Sequence, residues 1–135
     1  MKKLAKQMSL MFAAGAVGAL ANSLVVWIFG AKGITTGFGV QIAPLLTAKF
    51  LYPRLVWGGL WGFLFLLPML ENRLFARGLV MSLGPSLVQL FIIFPKVAGK
   101  GFLGIELGAL TPVFVLIFNA IWGLVTALWL KWTDK

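Results

Sequence analysis

Of the 135 residues, 61% are hydrophobic and 11% are charged, against roughly 25% charged in a soluble domain, so a water-soluble monomer is excluded and lipid is the expected solvent. The net charge of +9 comes from 12 Lys and Arg against Glu71, Glu106 and Asp134; the basic residues stand singly and form no face that tracks a phosphate backbone, so nucleic acid is rejected as a partner in favour of anionic lipid headgroups. His and Cys are both absent, which removes the usual ligands of zinc and haem and any catalytic thiol or disulfide, so neither a metal nor a cofactor is expected.

The first apolar run, Ser9 to Phe29, reaches about 31 Å as a helix and matches a hydrocarbon core of about 30 Å. Lys2 and Lys3 ahead of it and Ala19-Leu20-Ala21 within it also resemble a secretory leader. Apolar residues continue through Leu24 to Phe29 past the would-be cleavage site, so an uncleaved span is the expectation. The second run, Leu55 to Leu70, reaches only about 24 Å, and Leu51 and Tyr52 extend it if Pro53 sits in its first turn or kinks it. The third, Gly78 to Phe94, carries Gly84-Pro85, with a kink expected at Pro85 and an end at Pro95. The fourth, about Leu107 to Leu130, closes on Lys131 and Trp132. Lys131 with Trp27, Trp57, Trp129 and Trp132 forms the expected set of lipid or interface anchors.

Four crossings place both termini on one side. The terminal segments and the Arg73 to Arg77 loop hold Lys2, Lys3, Lys6, Arg73, Arg77, Lys131 and Lys135, whereas Lys32, Lys49, Arg54, Lys96 and Lys100 lie on the other side. The excess of positive charge places both termini in the cytoplasm, and the bacterial inner membrane is the expected location.

A self-comparison aligns Leu20-Ala21-Asn22-Ser23-Leu24-Val25 with Leu83-Gly84-Pro85-Ser86-Leu87-Val88 at an offset of 63, and Leu60-Trp61-Gly62-Phe63-Leu64 with Ile121-Trp122-Gly123-Leu124-Val125 at an offset of 61. Two nearly equal offsets predict two homologous halves, about 9–71 and 78–132, within one membrane domain, 1–135. Each half holds two crossings, an even number, so the repeat is parallel. The expected fold is therefore an all-α polytopic membrane protein: four transmembrane helices in two tandem parallel helical hairpins, with interfacial or re-entrant connectors.

The connectors, Gly30 to Pro53 and Pro95 to Pro112, are rich in Gly and apolar residues. Phe38, Ile42, Leu45 and Lys49 recur at helical spacing and predict an amphipathic interfacial helix over Val40 to Phe50, while a re-entrant segment is the alternative. Glu106 is the only acid on its side and needs a basic partner, for which Arg54 is the candidate and Lys100 or Lys96 the substitutes. Such a pair reads either as a gate or ion site or as a clamp between the connectors. Asn22 in the first span, Ser86 and Gln89 in the third and Asn119 in the fourth should face inward, as helix glue or as a polar path. The small faces Ala14-Gly15-Gly18-Asn22 and Gly58-Gly62 predict close helix packing, and Trp61 and Trp122 sit deeper than the belt residues.

An enzyme is the weakest class, since His is absent and neither paired carboxylates at a recognisable spacing nor a phosphate loop is present. Two readings remain. One is a homo-oligomeric channel or transporter for a small solute or ion; the other is an accessory or scaffold subunit of a larger membrane complex with a lipid-binding role.

Overall fold

The computed structural model describes residues 2–68 and 72–133. Leu70, the expected end of the second crossing, and Glu71, Asp134 and Lys135 lie outside the described residues. Every regular element among the described residues is helical: α1 (Lys2–Ala31), the single turn α2 (Ile34–Gly37), α3 (Ala48–Trp61), α4 (Leu74–Val88) and α5 (Thr111–Thr133). α3 continues as a 3-10 helix over Gly62–Leu66, α4 continues with π-helical winding over Gln89–Val97, and tight 3-10 turns cover Phe102–Leu107. Three of these helices are long and apolar enough to cross a membrane: Lys2–Ala31, Leu74–Val97 and Thr111–Thr133.

α1 is one of two inner helices, because its small residues allow two neighbours to approach at once. On one face, a Cβ at Gly15 would fall onto the Gly58 carbonyl oxygen and within 2.9 Å of Gly62 Cα, so α3 lies backbone to backbone against it. On the other, Gly18 accommodates Thr126 Oγ1 and the Trp122 carbonyl, and Trp122 Nε1 donates to the Gly15 carbonyl at 3.1 Å. Such contact is the usual dividend of small residues where apolar helices meet. α4 packs on α5 in the same manner, with a Cβ at Gly78 falling 2.8 Å from the Gly123 carbonyl oxygen. The order in space is thus α3, α1, α5, α4, each antiparallel to its neighbour.

Several expectations are corrected. No helix covers Val40 to Phe50; residues 38–47 have no regular structure and α3 starts at Ala48, capped by Thr47 Oγ1 accepting from the Phe50 amide at 3.1 Å. The periodic apolar residues there are overruled by Gly39, whose φ of 78° leaves the right-handed helical region, and by Pro44, which disfavours helix at Ala43. Backbone groups of this stretch are satisfied by two local bonds and one distant one: the Val40 amide bonds the Thr35 carbonyl, Thr35 Oγ1 donates to the Ile42 carbonyl at 2.8 Å, and the Gln41 amide reaches the Leu107 carbonyl at 2.8 Å. Pro53 sits in the second turn of α3, inside the helix. Pro95 does not end the third apolar run, which winds on to Val97 with i→i−5 bonding, as in Ala98 N–H to the Ile93 carbonyl at 2.7 Å.

Candidate functional site

The polar residues of α1, α3, α4 and α5 meet around one cavity of about 410 Å³. Asn22 comes from α1, Arg54 from α3, Gln89 from the π-wound end of α4 and Asn119 from α5, and Trp57, Trp61 and Trp122 supply much of the apolar wall. Arg54 is the seventh residue of α3 and Asn119 the ninth of α5, so at 1.5 Å per residue both stand about 9–12 Å inside the bundle from the same end.

Arg54 is held from one side. Its Nε donates to Ser23 Oγ at 2.9 Å, one Nη donates to Asn22 Oδ1 at 2.5 Å, and its guanidinium lies 4.8 Å from the centre of the Phe50 ring, one helical turn back. Asn22 is in turn fixed by donating Nδ2 to the Phe118 carbonyl of α5 at 2.5 Å, so one buried amide links three helices. A guanidinium carries five N–H donors, and two are used in these bonds; among the described residues no protein acceptor engages the other Nη. The partners are an amide, a hydroxyl and a ring, all neutral, and among the described residues no carboxylate neutralises the charge.

A second network lies on the α4 side. Ser86 Oγ donates to the Ser82 carbonyl at 2.7 Å, which spends its proton, so Ser86 Oγ accepts from Asn119 Nδ2 at 3.1 Å. Asn119 Nδ2 also reaches Gln89 Oε1 at 3.4 Å. The bonding fixes both amide orientations and leaves the Gln89 Nε2 donors available.

The structure therefore brings Asn22, Arg54, Ser86, Gln89 and Asn119 together and leaves Glu106 apart. The expected Glu106–Arg54 pair does not form. Glu106 is exposed and folds over its own connector, with Oε2 2.7 Å from where a Gly101 Cβ would stand. The connectors are instead clamped by backbone: the Gln41–Leu107 hydrogen bond, and Gly108 seated on the Gly39 carbonyl with φ 151°. Of the expected anchors, Trp132 is exposed, as is Lys131, and Trp27 and Trp129 are half-buried. Trp57 belongs to the cavity rim, 62% exposed.

Composition did not single out Pro85, Val88 and Ile93 as wall residues. The available signal was the alignment of Trp61 with Trp122 and of Asn22 with Pro85, since all four line this cavity. No protein family, curated protein or solved structure matches this chain.

Proposed function

We propose that the chain is a four-crossing membrane protein made of two parallel duplicated hairpins, which binds a small solute between the halves and passes it across the bilayer. The cavity carries this reading: a cation and three side-chain amides gather there among apolar helices, and in a bilayer such groups are costly and mark solute paths.

The fourth crossing rests on reach. α3 alone has 14 residues, but the five residues of 3-10 helix that follow rise by about 2.0 Å each, so Ala48 to Leu66 extends about 31 Å and equals the hydrocarbon thickness. The duplication is supported by two contacts. The backbone approach of Gly15 to Gly62 recurs as that of Gly78 to Gly123, at the offsets of 63 and 61 read from the sequence. At the aligned positions Ser23 and Ser86, each hydroxyl accepts from the second helix of its own half, although the donors Arg54 and Asn119 are not themselves aligned. α1 and α4 both run antiparallel to α5, as a parallel repeat requires. Both termini are assigned to the cytoplasm of a bacterial inner membrane by the positive-inside bias, and the exposed apolar flanks are assigned to lipid or to further copies of the chain.

Because the chain has no cysteine, single cysteines report water access directly. In proteoliposomes, Gln89→Cys should react with a membrane-impermeant thiosulfonate, and Leu87→Cys, outside the cavity, should not. Protection of Gln89→Cys from both sides, with no solute flux, would remove the transport reading in favour of an accessory subunit.

A further inference from the structure

We propose that the cavity takes an amphiphilic anion, a carboxylate or phosphate headgroup on an apolar chain, which reaches Arg54 sideways from the lipid through the gap between α3 and α4. This deepens the solute-binding reading above and rests on the bilayer placement given there.

The sign of the charge follows from the lining. Among the described residues, Arg54 contributes a cation paired with no carboxylate and with unengaged N–H donors, Gln89 contributes amide donors, and no acid lines the cavity. Planar guanidinium groups match carboxylate and phosphate oxygens in a two-pronged geometry, so Arg54 is suited to an oxyanion. The neutral partners on its other side hold the group in place without satisfying its charge.

The apolar part follows from size and wall chemistry. A volume of about 410 Å³ falls within the roughly 300–1,000 Å³ of organic ligand sites and far exceeds the needs of a bare ion. Trp57, Trp61, Trp122, Val88 and Ile93 present rings and aliphatic groups that would leave a small hydrated anion poorly solvated.

The route follows from which helices touch. α1 packs against both α3 and α5, and α4 against α5, but α3 and α4 face each other across the cavity without packing along it. Their approach is at one end, where a Cβ at Gly84 would come 2.8 Å from Leu64 Cδ1 and 3.5 Å from the Trp61 ring. Beyond that point Pro85 and the π-wound turns from Gln89 onward carry α4 past the cavity, and Trp57 and Ile93 stand exposed on either side of the gap. In a bilayer this slot opens on acyl chains, so a tail lies between the helices while the headgroup reaches inward to Arg54.

The test is binding to the full chain in a neutral maltoside detergent, followed by native mass spectrometry and calorimetry with dodecanoate, dodecyl phosphate, dodecanol, acetate and inorganic phosphate as probes. The two long-chain anions should each bind one per chain. Dodecanol should bind at least about tenfold more weakly, as should acetate and inorganic phosphate. Arg54→Gln should weaken dodecanoate about tenfold or more, and Arg54→Lys less. If Arg54→Gln does not fold, Gln89→Glu, which leaves the Arg54 bonds to Asn22 and Ser23 in place and offers the cavity its own carboxylate, should give the same loss. Equal binding of dodecanol and dodecanoate, equal binding of acetate and dodecanoate, or unchanged binding by the folded variants overturns the inference. Dodecanoate binding without vesicle flux of any probe upholds the ligand class and removes transport; acetate flux without long-chain binding overturns the ligand class and retains transport.

Discussion

The side-chain amide of Asn22 faces two ways at once: Oδ1 accepts from Arg54 of α3 at 2.5 Å and Nδ2 donates to the Phe118 carbonyl of α5 at 2.5 Å. Neither function survives in an apolar isostere. Asn22→Leu should lower the stability of the detergent-solubilised protein by about 2–3 kcal/mol, because it strips a charged donor of its acceptor in a buried setting. The melting midpoint should fall accordingly, and Ser23→Ala, which removes only the Nε acceptor, should cost less.

Glycine positions separate into those that hold helices together and those that do not. Gly15→Ala and Gly123→Ala place a methyl group on the carbonyl oxygens of Gly58 and Gly78 respectively, so the helix pairs must separate. Each should destabilise by about 1–3 kcal/mol, in the range of overpacked cores. Gly37→Ala, with nothing within 4 Å of its Cβ, should be neutral or stabilising by up to about 1 kcal/mol. Thermal melts of the three variants in one detergent decide the matter.

Trp122 contributes a ring to the core and an indole N–H to the Gly15 carbonyl at 3.1 Å. Trp122→Phe keeps much of the apolar contact and removes the donor. The loss should be about 1 kcal/mol or somewhat more, since the smaller ring also leaves space beside Phe65, whose ring centre lies 5.9 Å from that of Trp122. Trp122→Leu should cost more.

The joined connectors give a local readout. Gly108→Ala puts a side chain at φ 151° and onto the Gly39 carbonyl, so the Gln41 amide should lose its bond to the Leu107 carbonyl. Hydrogen–deuterium exchange should then accelerate in peptides covering 38–43, with helix α1 unchanged. Glu106→Gln, by contrast, should leave exchange in those peptides unaltered, because Glu106 does not take part in the clamp.

Polar residues in the apolar runs were readable one at a time and their groupings were not. Asn22, Gln89 and Asn119 stand out because an amide among apolar neighbours needs a partner, and each has one. Arg54 enters from the sequence only as a basic partner for Glu106, because an acid among apolar neighbours needs a cation from its own side of the membrane. The rotation of α3 turns Arg54 toward Ser23 and Asn22 instead, while Glu106 stays on its own exposed connector. The Val40 to Phe50 helix failed differently: apolar spacing carried a helical period, but Gly39, Pro44 and hydrogen bonds to distant backbone selected an irregular path.

Apolar length and local composition by themselves determined the helical class, three of the four expected runs as helices able to cross a membrane, and the small-residue faces of α1 and α3, because these depend on neighbours close by in the chain. Tertiary structure alone decided that α3 and α4 leave a gap, that Trp57 borders a cavity, and that two connectors are clamped through Gln41 and Leu107. Those outcomes depend on how helices rotate against one another and on single backbone contacts between residues far apart in sequence, which no periodicity encodes.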